Sequence, residues 1–393
     1  MEDIPPPPGD DLTGSESSGR SRSGHDALAV TEDEHVDHKW RSMSAASDLV
    51  REAFRTEERR VDWQSGLAGA LAVVGPLAIG LAVDEPAAGF LAALGGLNVA
   101  LCVPRADLRA RLWWGSLAVL GSAAAVVLAD TASKGDARLV LFSFAWVAVW
   151  AFFRAAGPSG ALLGFANSAV FVVLAGLPTT APLDERLTWF ALGAVLGLAL
   201  MVLARRPERS IPVGLEALRK VQSAPLHDNA LRAYALRLAV AVGAGSLFYR
   251  LVDLPHGYWV PLTTLAILQP TGHGTVLRGL QRAAGTLLAA ALIVGILLAT
   301  DNRWLLVACA AATAFGLYAL DERGYFWLVV LLTPTVLLMI SAIDFEGDTV
   351  ALDRVAETMV GIVIGLAFGE LANAPARIRD ARRRRTRSSR KSS

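Results

Sequence analysis

The sequence predicts an all-α polytopic membrane protein with about twelve transmembrane helices in two parallel six-helix repeats. Three observations carry this. Just over half of the 393 residues are apolar (53%) and the mean hydropathy is +0.44, a balance that ordinary soluble domains do not show. Apolar runs near the length needed to cross a bilayer recur through residues 61–371. Landmarks of the first half also return in the second. Val83-Asp84-Glu85-Pro86 and Gly89-Phe90 are echoed by Val252-Asp253-Leu254-Pro255 and Gly257-Tyr258. Arg186, Gly193 and Gly197 return as Arg354, Gly361 and Gly365, at an offset of 168 residues (361 − 193). A duplicated apolar unit of this kind is frequent among transporters.

Residues 1–60 are too polar to bury a core and read as a disordered tail. They hold Pro5 to Pro8, a Gly/Ser/Arg stretch and an acidic run from Thr31 to His38. No secretory signal peptide is visible in them. Glu32, Glu34, His35 and His38 read as solvated charge rather than metal ligands. Within 42–58, Leu49, Val50 and Phe54 recur at helical spacing, which predicts a short interfacial helix.

The first repeat, 61–206, reads as helices near 64–83, 87–103, 112–130, 139–153, 158–177 and 186–204. A linker at 207–231 carries a short helix near 213–222. The second repeat, 232–372, reads as helices near 232–250, 255–270, 280–299, 304–320, 325–343 and 354–371. A densely basic tail, 373–393, follows. Arg105, Arg109, Arg111, Arg154, Arg205, Arg206, Arg209, Arg278, Arg282 and Arg323 all fall after even-numbered spans, whereas Asp84, Glu85, Asp130, Asp184, Glu185 and Asp253 fall after odd ones. By the positive-inside rule both termini are cytoplasmic, and the composition suggests a bacterial inner membrane. Six spans per half make the halves parallel, with their axis along the membrane normal. The basic tail is suited to anionic lipid headgroups and needs no nucleic-acid partner.

Signatures of several function classes are missing. Gly272-His273-Gly274 lacks the Gly-Lys-Ser/Thr ending of a phosphate loop, and neither His-Glu-x-x-His nor Cys-x-x-Cys occurs. Ser159 follows Gly157-Pro158, yet the first membrane half has no histidine to activate it. The reading is therefore of a protein without enzymatic activity, catalytic residues, metal or cofactor. Cys102 and Cys309 lie far apart in apolar runs and read as packing residues.

The stretch Gly257–Gly285 carries the remaining signal. Tyr258-Trp259, Pro261, Thr263-Thr264, Gln269-Pro270, Thr275, Arg278 and Arg282-x-x-Gly285-Thr286 follow in order. Pro261 predicts a kinked span here, and Gly95-Gly96 an interrupted one in the matching first-half segment; such paired breaks point to a midplane site. This pattern resembles that of the fusaric acid resistance/aromatic acid exporter family, whose relatives include plant aluminium-activated malate transporters. A weaker echo stands in the first half as Gly89-Phe90, Gly95-Gly96, Pro104, Arg111 and Gly115-Ser116. The large soluble insert of many relatives is missing.

The resemblance implies export of small organic, in particular aromatic, carboxylates through a path between the repeats. Arg278 and Arg282 lie four apart on one helical face, and with Arg109 and Arg111 they would form a basic mouth that grips carboxylates. Thr263, Thr264, Gln269 and Asn98 would supply polar contacts, and Tyr258 and Trp259 aromatic ones. Asp253, Glu357 and Glu370 read as lying toward span ends, so the path is expected to lack a mid-span carboxylate. Two other readings stay open: an uncoupled anion channel of the malate-transporter kind, and a non-transporting membrane scaffold. A single chain already holds both repeats, and a homodimer of such chains also stays open.

Overall fold

The computed structural model describes residues 47–54, 61–177, 181–205, 211–254, 256–320, 323–343 and 347–371. Most of the tail 1–60 and the basic tail 373–393 lie outside the described residues. The chain divides into two compact units, Met1–Arg51 and Glu52–Ser393. Only a short helical stretch of the first is described. The second holds all that follows.

Its first half contains α1 (Trp63–Ala82), α2 (Pro86–Cys102), α3 (Leu108–Ala132), α4 (Asp136–Ala151), α5 (Pro158–Gly176) and α6 (Leu183–Ala204). The linker forms α7 (Gly214–His227). The second half contains α8 (Asn229–Val252), α9 (Trp259–Ile267), α10 (Gly272–Ala299), α11 (Arg303–Ala319), α12 (Tyr325–Ile343) and α13 (Gly347–Glu370). Among the described residues there is no strand. The helices start where the sequence supplies caps. Asp62, Asp228, Thr271 and Asn302 each accept a backbone N–H of the first turn of α1, α8, α10 and α11, while Pro86 and Pro158 occupy the first position of α2 and α5. At Asp62, burial works to raise the carboxyl pKa, but hydrogen bonds from Ser65 and the charges of Arg105 and Arg205 outweigh it and hold it below the usual range.

The duplicated Val-Asp-x-Pro words end α1 and α8 in the same way. Asp84 and Asp253 both adopt left-handed backbone (φ 62° and 54°), which aspartate tolerates better than most residues. One residue on, Glu85 N–H donates to the Gly80 carbonyl (2.7 Å) and Leu254 N–H to the Tyr249 carbonyl (3.1 Å), closing both helices with the same reach-back.

Packing repeats as well. In each half the last helix lies on the second, α6 on α2 and α13 on α9. A Cβ at Gly193 would stand 1.8 Å from the Ala92 carbonyl oxygen, and one at Gly361 would stand 2.7 Å from that of Val260. Gly197 faces Gly96 and Gly365 faces Thr264. All four pairs keep the 168-residue offset (260 − 92, 264 − 96). Across the halves, α1 packs on α11 as α8 packs on α4, and α5 on α9 as α12 on α2. The halves thus meet by a pseudo-two-fold exchange, with α2, α5, α9 and α12 at its centre.

Among the described residues, eight helices, with α4 extended by a tight turn to Ala156, are long and apolar enough to cross a bilayer. The α2 and α11 helices, at 17 residues, sit at the lower limit. With its nine residues α9 rises only about 14 Å. The expectation of about twelve spans therefore exceeds the helices that qualify on length and composition. Large apolar side chains such as Leu120, Leu141, Leu203, Leu251 and Leu298 face outward, which suits lipid and not water. The protein is a multi-pass helical membrane protein.

Two local expectations need correction. Helix α2 is continuous through Gly95 and Gly96, because both glycines serve close approach, to the carbonyls of Phe190 and Ala72. Pro261 makes no kink: it lies in the first turn of α9, where its missing N–H costs no helical bond. The break in this span lies instead at its two ends.

Replacing Gly193 by alanine is expected to destabilise the fold by about 1–3 kcal/mol, since backbone and not a flexible side chain stands in the way. Gly75, with nothing within 4 Å, is the control: its alanine variant should match or exceed the wild type in thermal unfolding in detergent.

Candidate functional site

Where α2, α5, α9 and α12 converge they leave a cavity of about 110 Å³. Its wall is largely hydrocarbon, with Leu97, Phe165, Val170, Phe190 and Leu262 among the contributors. Four polar side chains enter it: Asn98 from α2, Thr333 from α12, Arg282 from α10 and Arg354 from α13. Arg282 is 4% and Arg354 1% exposed. The Arg354 guanidinium stacks 3.7 Å above the Trp259 ring, a contact that holds a desolvated cation well. Among the described residues, Nε of both arginines and one terminal nitrogen of Arg354 have no hydrogen-bond acceptor. Two buried cations with N–H groups unmet are expensive unless an anion completes them. Glu357, one turn after Arg354 on α13, is the nearby carboxylate; it too is buried, and its Oε2 has no partner among the described residues.

The first-half counterpart is wired differently. Arg186, which matches Arg354 in the repeat, is 3% exposed and lies 3.2 Å from Asp130 of α3. Trp189 stands where the repeat puts Glu357. One arginine of the pseudo-symmetric pair is thus held in an internal ion pair, with only its Nε lacking an acceptor among the described residues, and the other is turned into the cavity.

A larger cavity, about 490 Å³, opens where α4 ends, α5, α8, α10 and α12 begin and α9 stops. Arg154 and Arg278 line it. Arg154 donates to Gln269 Oε1 (3.1 Å) and lies 5.2 Å from the centre of the Tyr234 ring, while Arg278 lies 4.1 Å from that of Tyr325. The two cavities share Phe165 and Ala266 as wall residues and so are neighbours. Early termination of α9 makes room here, and its freed backbone is met locally. Thr275 accepts the Gln269 N–H, Gln269 Nε2 donates to the Leu268 carbonyl, and Arg237 donates to the Pro270 carbonyl. Irregular backbone at such a depth is tolerated when protein covers it.

The expected site residues separate accordingly. Arg282, Trp259 and Asn98 line the central cavity; Arg278 and Gln269 line the larger one. Arg278 and Arg282 share a helix but serve different cavities. Thr263 and Thr264 are buried behind the wall, facing Gly361, and Thr264 bonds to the Val260 and Gly361 carbonyls. Tyr258 is buried against Gly176 and the Trp259 ring. The basic mouth does not include Arg109 and Arg111: Arg109 is exposed beside Gly214, and Arg111 donates to the Val202 and Arg205 carbonyls at the end of α6. A helix C-terminus with orphan carbonyls captured it.

Sequence reasoning passed over Arg154, Tyr234, Tyr325 and Arg354 as site residues, although the repeat had marked Arg354. It also placed Glu357 near a span end. Helix α13 starts at Gly347, so Glu357 lies well inside it. Glu357 lines neither cavity.

Residues 241–368 match the fusaric acid resistance protein-like family. The match holds the whole Gly257–Gly285 pattern, the α9 break, Arg282 and Arg354. Relatives include the inner membrane protein YccS of Escherichia coli (29% identity over 140 residues, 36% of this chain and 19% of the relative). YhfK of the same organism is 29% identical over 163 residues, 41% of this chain and 22% of its own. The protein slr1298 of Synechocystis is 28% identical over 149 residues, 37% and 20% respectively. The chain thus spans about a fifth of the length of the curated relatives it matches. No solved structure matches.

Asp130→Asn is expected to lower thermal stability in detergent, because it leaves Arg186 buried and unpaired; about 3–5 kcal/mol is the ceiling for such a loss. Adding Arg186→Leu should recover part of it. Equal loss in the single and double variants would show that the pair does not act as a unit.

Proposed function

We propose that this protein exports small organic carboxylates, aromatic ones among them, along a path between its two pseudo-symmetric halves. Arg282 and Arg354 carry the reading: two buried guanidiniums with unmet N–H groups in an otherwise apolar cavity. Such a site selects a ligand with an anionic end and a hydrocarbon body. The charge satisfies the guanidiniums and the body replaces water against the leucine and phenylalanine wall. An apolar cavity of about 150 Å³ accepts benzene, so a space of about 110 Å³ is on the scale of a single ring.

In this proposal the larger cavity is the cytoplasmic vestibule, since arginines crowd that end and both termini then lie inside. Arg154 and Arg278 attract the anion, Phe165 separates vestibule from centre, and Arg282 with Arg354 receives it. Outward movement of an anion is downhill in a cell negative inside, by about 2.3 kcal/mol per charge at 100 mV. The basic C-terminal tail would rest on anionic lipid.

Proteoliposomes loaded with benzoate, malate or uncharged benzamide, under an imposed potential, test this. Benzoate should leave faster than benzamide. Arg282→Ala should cut benzoate efflux roughly ten- to a hundredfold, the loss of one charge-assisted bond. Arg109→Ala, away from both cavities, should not. Failure of any carboxylate to leave faster than from protein-free liposomes would overturn transport and favour a scaffold.

A further inference from the structure

Glu357 is the buried ionisable group for which the path so far has no use. It lies inside α13, 3% exposed, with Oε2 unpartnered among the described residues. Its carboxylate faces the backbone N–H of His256. Arg354, one turn earlier, faces the central cavity with unmet N–H groups of its own. The same guanidinium is therefore within electrostatic reach of two anions, the fixed Glu357 and whatever carboxylate occupies the cavity. Other charged or titratable groups around it are few. Asp353 stands on α13, Arg282 comes from α10, and His256 and Tyr258 come from the turn before α9; Tyr325 of α12 reaches Arg354. Arg250 of α8 is held at 3.6 Å by Asp136.

Partly exposed polar side chains lie near Glu357. His256 Nδ1 lies 3.8 Å from Asp353 Oδ2, with the two side chains 28% and 45% exposed. This pair adjoins Glu357 through the His256 backbone and through α13, away from the vestibule residues Arg154 and Gln269.

We propose that Glu357 is a proton-binding site linked to the anion site through Arg354. This rests on the anion-binding reading above and adds a proton-binding equilibrium to that site. With the cavity empty, ionised Glu357 offsets the charge of Arg354. When a carboxylate binds to Arg354, two negative groups share one guanidinium, and Glu357 takes up a proton from solvent at Oε2. The site then holds two arginines, one bound carboxylate and a neutral acid. The sign follows: anion and proton bind together, so each strengthens the other by the same factor. Lower pH tightens anion binding, and Glu357 gains a proton as the anion binds. Glutamate at the first-half position would do nothing similar, since Arg186 is already closed by Asp130.

The test is calorimetric titration of benzoate into the full chain in lipid nanodiscs, from pH 6 to 8.5, in buffers of differing ionisation heat. Benzoate, an ordinary carboxylate, stays ionised over this range. The wild type should bind about fivefold or more tightly at pH 6 than at pH 8.5, with proton uptake on binding. Glu357→Gln should bind tightly at both and take up no proton, and His256→Gln should keep the wild-type pH dependence. Wild-type binding that ignores pH, without proton uptake, would overturn the linkage and leave the anion site standing. Retained pH dependence in Glu357→Gln would do the same. Absence of benzoate binding at every pH would overturn the anion site itself and the linkage with it. Should Glu357→Gln fail to fold, the count of protons taken up by the wild type decides alone.

Discussion

The close approach of the last helix of each half to the second is the contact on which the rest depends. Gly193 lies on the Ala92 carbonyl and Gly361 on that of Val260, with no room for a Cβ in either place. In a bilayer no hydrophobic force drives one apolar helix onto another, so dispersion between closely fitted backbones must hold them. That contact sets the rotation of α6 and α13. Rotation of α13 in turn points Arg354 at Trp259 and Glu357 at the turn before α9.

Duplication built a frame and then let its halves diverge. The turn after α1 and the turn after α8 are the same object, down to the left-handed aspartate. The interior is not. On one side α2 is a continuous helix of 17 residues and Arg186 is neutralised; on the other α9 keeps nine and Arg354 is open to a cavity. Shortening α9 freed the backbone around Leu268–Thr271, and Thr275 and Arg237 satisfy it. The asymmetry between the halves is therefore greatest where α9 is shorter than α2.

Electrostatically the interior is unusual for hydrocarbon surroundings. Charges there are costly and persist where a partner, a ring face or a ligand offsets them. Asp130 does so for Arg186, Trp259 in part for Arg354, and Gln269 with Tyr234 for Arg154. Among the described residues, the central cavity gathers two guanidiniums whose N–H groups are left partly unmet.

Much of the architecture was legible in the chain alone. Hydrophobic runs gave helix positions to within a few residues for α1, α2, α5, α6, α11 and α12, because membrane helices must be apolar over their length. The repeat was visible because turns and glycine contacts demand particular residues. The Gly257–Gly285 pattern pointed to the right half. Other matters only the tertiary structure decided. Arg111 and Arg282 look alike in sequence, yet one ends on the carbonyls of α6 and the other in a cavity. Helix α13 begins before its apolar run does, which took Glu357 from a span end to the interior. Residue type records what a side chain is able to do, whereas neighbours distant in sequence decide which orphan groups it meets, and that choice separates a helix cap from a binding site.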